Sequence, residues 1–178
     1  MFTLMKKMGV DTLLLLLCLL VSCGIRPHTP PDYRQNSFEA EVSWQTGELT
    51  LTGIVSVRAA TDGEAASLES LQLTAPESLR GLRMVWEDGI PHAECHGVTA
   101  NAELMSELWK TASWLTLSGT ISPIALTESE DEALLYATLQ DPSSDTPYEF
   151  YLHPESGIPQ KIQHGENLLQ IQRFTVTS

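Results

Sequence analysis

The sequence is poor in cysteine, in basic residues and in long apolar runs. Three cysteines occur in 178 residues, at positions 18, 23 and 95. Two of them fall in or beside the N-terminal apolar stretch. Cys95 is then alone in the body of the chain, and no intramolecular disulfide framework is available. The fold must stand on an apolar core. Lys and Arg number 10 against 23 Asp and Glu. Such a balance repels phosphate backbones, which argues against nucleic-acid binding. It also disfavours lying flat on anionic headgroups. The apolar run Leu13–Val21 is far short of the roughly 20 residues that a membrane-spanning helix needs. Hydrolase and nucleotide signatures are missing too: there is no Gly-x-Ser-x-Gly, no His-Glu-x-x-His and no Gly-rich phosphate loop. The acidic run from Glu128 to Glu132 lacks the alternating ligands and central Gly of a calcium loop, and reads as a solvated loop. These gaps point away from an enzyme, and no cofactor or metal is expected.

What is present begins at the N-terminus. Lys6 and Lys7 precede the apolar run, which is broken only by its own Cys18 and has the length of a signal h-region. It ends in Leu20-Val21-Ser22-Cys23, which resembles the lipobox of bacterial lipoprotein precursors. The resemblance implies that residues 1–22 are a cleaved export signal. It also implies that Cys23 becomes the acylated N-terminus, a palmitate-type lipid anchor in the membrane at the extracytoplasmic face. A single acyl chain anchors weakly, whereas two or three anchor stably. Gly24 carries no inner-membrane retention signal of the aspartate type, so an outer-membrane location fits a Gram-negative host. Removing residues 1–22 takes Asp11, Lys6 and Lys7 out of the count and leaves a formal charge of −14. The remaining length suits one domain.

Residues 24–36, GIRPHTPPDYRQN, are rich in Pro and polar groups and read as an extended tether. A domain is expected over 37–178. Phe38, Ala40, Val42 and Trp44 alternate with polar residues, and Leu49, Leu51, Gly53, Val55 and Val57 alternate with Thr50, Thr52, Ile54 and Ser56, which predicts a hairpin of two half-buried strands. Further strands are expected around Leu71 and Leu73, around Leu82, Met84 and Trp86, and over 91–98. The period then changes. Asn101 is placed to cap a helix over 102–113, with Leu104, Met105, Leu108, Trp109 and Ala112 on one face. Residues 118–132 read as a loop. Strands return at 133–140, 147–153, 160–164 and 167–177, each set off by a turn signal. About nine strands in meander order with one inserted helix predict an α+β, mainly β, fold. It is an open, unclosed antiparallel β-barrel or curled sheet with the helix covering its concave face.

This layout resembles the LolA/LolB/LppX-like superfamily of bacterial envelope proteins. The residues that carry the likeness are Phe38-Glu-Ala-Glu-Val42, Pro76-Glu-Ser-Leu79-Arg-Gly-Leu82 and, most specifically, Tyr151-Leu-His-Pro154-Glu-Ser-Gly157-Ile-Pro159-Gln-Lys-Ile162. In the family a strand ends in a turn of the type Asp-Pro-x-Thr-Gly-x-Pro. Here His153 stands for the Asp and Ser156 for the Thr. The family opens with a helix before its first strand in LolA, and Pro30-Pro31 leaves little room for one. The resemblance implies an apolar ligand, a lipid or acyl chain, held in the concave face. Here that face would be drawn from Trp44, Leu51, Val55, Leu73, Met84, Trp86, Leu104, Leu108, Trp109 and Phe150, beside Phe38, Val42, Leu71, Tyr148 and Leu152.

The same side chains serve equally to fill a close-packed core. Two functions therefore stay open. One is a lipid-anchored carrier or receptor for an apolar ligand. The other is an interaction module that holds a cell-envelope protein through its convex face or edge strands. His92, Glu94 and His96 share one face of a strand, but no further ligand group stands at metal-site spacing. They read as a polar solvent face, with Cys95 turned to the other side.

Overall fold

A computed structural model of the chain describes residues 30–177 except 88–89, 96–97, 102–105, 129–132 and 141–144. The expected signal, Cys23, Leu104 and His96 lie outside the described residues, as do the tetrapeptide 141–144 and most of the acidic run. Eleven strands form one antiparallel sheet. They are β1 (Ser37–Thr46), β2 (Leu49–Arg58), β3 (Ser67–Ala75), β4 (Arg83–Glu87), β5 (Ile90–Cys95), β6 (Val98–Asn101), β7 (Ser122–Glu128), β8 (Ala133–Leu139), β9 (Tyr148–Leu152), β10 (Pro159–His164) and β11 (Asn167–Thr177). The order across the sheet is β6-β5-β4-β3-β2-β1-β11-β10-β9-β8-β7. Two meanders, β1–β6 and β7–β11, are thus zipped together along β1 and β11. The outer strands β6 and β7 do not pair with each other, so the sheet stays open.

That order fixes the place of the helix. The chain leaves the sheet at one edge, β6, and re-enters at the opposite edge, β7, so the link between them must cross a face. Among the described residues it carries one short helix, α1 (Ser106–Ala112), followed by a 3-10 turn at Ser113–Thr116. Ala112, Trp114 and Leu115 are buried, and the segment packs on β3. The apolar side of the crossover meets the apolar side of the sheet because each removes the other from water.

Alternation sets the face of each strand. Along β1, Phe38, Ala40, Val42 and Trp44 are buried while Glu39 and Gln45 are exposed. Their β2 partners alternate in step: Trp44 lies opposite Leu51, Val42 opposite Gly53 and Ala40 opposite Val55. Gly53 must be glycine. A Cβ there would sit 2.6 Å from the Gln72 carbonyl oxygen and 3.0 Å from the Trp44 ring. On β11 the core-facing positions run Leu169, Ile171 and then the half-buried Phe174, a step of three. A register shift between Glu41 and Val42 absorbs the extra residue and keeps Phe174 stacked on Phe38 at 4.4 Å between ring centres.

Three expectations are corrected. Residues 122–128, read as part of a loop, form β7. Ile124 and Leu126 do alternate with Ala125 and Thr127, and Pro123 is tolerated because β7 is an edge strand. The fifth strand ends at Cys95, and residues 98–101 turn back on it as β6. Asn101 therefore pairs with His92 in the sheet, and residues 102–105, over which the expected helix would begin, lie outside the described residues. Residues 30–36, read as tether, are packed against the domain.

Candidate functional site

The concave face is closed by its own side chains. Of the proposed lining, Trp44, Leu51, Val55, Leu73, Met84 and Phe150 are between 0 and 4% exposed and join one continuous core cluster. A void large enough to admit water would leave accessible area on the atoms that line it, so these six pack on neighbours and not around a water-sized space. Phe150 illustrates the fit, with Ala137 opposite it on β8 and Ile162 opposite it on β10. Leu108 and Trp109 of α1 are half-buried and pack on the rim of the cluster. Trp86 is placed as a position in β4, opposite Pro91, and Leu104 is outside the described residues.

Trp114 seats the crossover on the second meander. Its ring meets Tyr148 edge-on at 5.6 Å and His164 at 5.9 Å, and those two rings stack on each other at 4.3 Å. Aromatic pairs in these geometries add roughly 0.5–1.5 kcal/mol each beyond burial. The cluster is not perfectly satisfied. Among the described residues, Tyr33 Oη, Trp44 Nε1 and Trp114 Nε1 are buried without a hydrogen-bond partner. Burial also pushes the Tyr33 phenol up, with only a small opposing effect from Arg34.

The feature that the sequence reading missed lies at the start of the described chain. Asp32 accepts the backbone N–H of Arg34 and opens a 3-10 turn at Tyr33–Gln35. Arg34 is 8% exposed, the one buried charged residue among the described residues. Its Nε and one terminal nitrogen donate to the two Asp32 carboxylate oxygens at 2.8 and 2.7 Å. The guanidinium also donates to the carbonyls of Leu117 and Gly119, more than eighty residues away; the Gly119 bond is 2.9 Å. Ala60 N–H donates to the Arg34 carbonyl at 2.9 Å. Every face of the fork is used, which is why an arginine tolerates this burial. Burial pushes the Asp32 carboxyl up, but the side-chain and backbone bonds from Arg34 and its charge outweigh that and hold it below the usual value. Hydrogen bonding to Asp32, against burial, holds Arg34 charged. Tyr33 meets Phe38 and Phe174 edge-on at 5.8 and 6.3 Å.

Two clefts flank this strap. One of about 190 Å³ is lined by Pro30–Arg34, Gly119–Ile121, Leu152 and Gly157. The other, about 260 Å³, is lined by Asp32, Arg34, Gln35, Ala60, Ala65, Ala66 and Thr116–Gly119. None of the ten proposed lining residues borders either cleft. Pro-rich, aperiodic sequence hid the strap; its one signal is Tyr33 and Arg34 set beside Asp32, an aromatic and an ion pair where a tether needs neither.

The turn that carried the family resemblance explains its own departures. His153 Nδ1 accepts the N–H groups of Glu155 and Ser156 at 3.3 and 3.2 Å, the role a carboxylate would fill, and Ser156 Oγ accepts Ile158 N–H at 3.4 Å. Gly157 has φ +68°, and a Cβ there would meet the Pro31 carbonyl oxygen at 2.0 Å. On the convex face, Tyr136 and Tyr151 lie 5.5 Å apart, Lys161 Nζ is 4.7 Å from the Tyr151 ring centre, and Tyr136 donates to Glu149 at 3.1 Å. Ala93 of β5 is buried, while Glu94 on the opposite face is exposed and Cys95 is a half-buried free thiol. Among the described residues, no three His, Cys, Asp or Glu side chains group to hold a metal. Among them, too, no helix is long and apolar enough to cross a membrane.

No family model matches the sequence, and no curated protein is similar to it. Among solved structures, the chain is similar to MucB, with 16% identity and a TM-score of 0.50 over 82% of this chain and 55% of that one. It is also similar to the MucA/MucB complex of Pseudomonas aeruginosa, with 15% identity and a TM-score of 0.48 over 83% of this chain and 54% of that one. A LolA superfamily protein from Nitrosomonas europaea shows 11% identity and a TM-score of 0.40 over 81% of this chain and 87% of that one. The chain spans about half the length of the MucB chains it matches. At these identities the likeness to MucB is one of fold.

Proposed function

We propose that this chain is a non-enzymatic envelope lipoprotein, exported by residues 1–22 and anchored through acylated Cys23. Its curled sheet serves as a module that binds an envelope protein at the extracytoplasmic face. The observation that carries this reading is the packing of the concave face. Trp44, Leu51, Val55, Leu73, Met84 and Phe150 are at most 4% exposed, which supports a filled concave face. Binding then falls to the convex face and the two sheet edges. There the tyrosine pair Tyr136 and Tyr151, with Glu149 and Lys161, supplies a patch that is both apolar and charged.

A second reading, a carrier for a lipid or acyl chain, keeps one specific support. The crossover that covers the concave face is only half-buried at Leu108 and Trp109, and clefts run beside its end. Lifting it would uncover the proposed apolar lining.

The test is made on the full chain in a bacterial host. Cys23→Ala is expected to move the protein from the membrane fraction to the soluble extracytoplasmic fraction. A photo-cross-linking residue in place of Tyr151 is expected to capture a discrete protein in the acylated chain. A membrane-bound Cys23→Ala protein would overturn the anchor, and capture of lipid without protein would overturn the partner reading.

A further inference from the structure

β7 forms one edge of the sheet. β8 lies on one side of it and, among the described residues, no strand lies on the other. Such an edge presents a row of unpaired backbone N–H and C=O groups, a template for a further strand, and natural edges carry guards such as Lys, Pro or a bulge. β7 has a Pro and a bulge, and both stand at its start: Pro123, and a register shift between Pro123 and Ala125. From Ala125 to Thr127 it has no guard. It holds no Lys or Arg, and its one charged residue is Glu128.

Both faces of this unguarded stretch are unfinished. On the core side, Leu126 pairs with Leu135 of β8, and Leu135 pairs with Leu152 of β9. Leu152 is 3% exposed and Leu135 is half-buried against the core cluster. Leu126, at 69%, is the most exposed large apolar residue among the described residues. A strand beyond β7 would complete that row. On the convex side, Ala125 pairs with Tyr136, and Tyr136 with Tyr151. Ala125 is exposed and ends at Cβ, so the surface steps down beyond the Tyr136 ring. Lys161 Nζ already rests over the Tyr151 ring, and Glu149 accepts the Tyr136 hydroxyl. A second cation reaching across Ala125 would meet an aromatic ring with a carboxylate behind it.

We propose that β7 takes up an extended segment of a basic partner protein as a further strand. The segment sets an apolar side chain beside Leu126 and Lys or Arg side chains at the neighbouring positions, reaching over Ala125 towards Tyr136 and Glu149. One short segment delivers both, because adjacent strand residues point to opposite faces. Backbone hydrogen bonds supply the pairing, and the alternate side chains select the partner. A second copy of this chain is disfavoured as the occupant: a formal charge of −13 repels a like chain and attracts a basic one. Strand addition here rests on the reading that the chain binds an envelope protein, and gives that partner its chemistry.

Fluorescence anisotropy with two labelled peptides tests this on the full acylated chain in nonionic detergent at physiological salt. One peptide alternates Lys and Val; the other holds the same residues as a Lys block followed by a Val block. The alternating peptide is expected to bind at least about tenfold tighter and to slow amide exchange over Ala125–Thr127. Leu126→Lys puts a guard charge at an exposed position, where the fold tolerates it, and is expected to abolish that preference. Tyr136→Leu is expected to weaken the alternating peptide by about threefold. Equal binding of the two peptides, or an undiminished preference in Leu126→Lys, would overturn strand addition and leave charge alone drawing the peptide. A peptide alternating Glu and Val that bound as tightly as the Lys-Val one would overturn the basic partner. None of these results depends on whether Tyr151 cross-links to a protein, so failure of the edge site and failure of the functional proposal are seen separately.

Discussion

Truncating Phe150 separates a filled core from a bowl by magnitude. Phe150 is 0% exposed and lies between Ala137 and Ile162 on the neighbouring strands. Losing its ring removes a transfer contribution of roughly 2 kcal/mol. If the ring is packed on all sides, its removal also leaves a void of roughly 80 Å³, which at about 24 cal/mol per Å³ adds another 2 kcal/mol or so. Phe150→Ala should therefore cost about 4 kcal/mol. Were Phe150 the wall of an existing cavity, the second contribution would be largely absent, and the cost would be nearer 2 kcal/mol. Urea denaturation followed by tryptophan fluorescence measures the difference, read as a lower midpoint at unchanged slope. The new void is apolar and should take up benzene, which would raise the melting temperature of the variant and not of the parent. A loss of about 2 kcal/mol or less, or stabilisation of the parent by benzene or fatty acid, would refute the filled core.

Three further predictions address the strap and its surroundings. Tyr33→Phe removes a buried hydroxyl that has no partner and should stabilise the domain by about 1 kcal/mol, seen as a higher melting temperature; destabilisation would mean that the hydroxyl is satisfied. Gly157→Ala places a Cβ against the Pro31 carbonyl at a left-handed φ. It should cost roughly 2–4 kcal/mol by urea denaturation and expose the segment before β1 to protease, whereas a neutral substitution would mean that the strap is not seated there. Asp32 has a lowered folded pKa, so its contribution is present above the unfolded carboxylate value and is lost as pH falls through the folded one. The stability gap between the parent and Asp32→Asn should be flat from neutral pH down to about 5 and close in stronger acid. Its size is about 1 kcal/mol or less, because the Asp32 side chain is 38% exposed and water screens the pair. A gap that widened in acid would contradict the assignment.

The first hairpin was legible because its burial alternates residue by residue and its register follows from that alternation: Trp44 over Leu51, Val42 over Gly53. The C-terminal strands were legible through their turns, and β11 runs over the expected 167–177. The open sheet with one covering helix followed from meander order. Other parts depend on contacts that periodicity does not encode. The strand at 122–128 was masked by Pro123, which argues against a central strand and is silent about an edge one. Residues 98–101 carry Val98 and Thr99, both good strand formers, but Asn101 beside Glu103 resembled a helix start more strongly. The strap has no period at all, since Arg34 finds its partners at Leu117 and Gly119 only once the crossover has been folded back beside the segment before β1. Of the proposed lining, six of ten positions are buried in one core cluster. Whether the concave side is hollow or filled was never in the pattern, because an apolar stripe is the same stripe in either case.

The most direct test of the central claim, that the concave face is a filled core and the binding surface lies outside it, is native mass spectrometry of residues 24–178, exported in a bacterial host and purified without harsh extraction. The account predicts the bare protein mass, with no adduct and no uptake when fatty acid or phospholipid is added. Adducts of lipid mass that disappear on organic extraction would contradict it and place the carrier reading first.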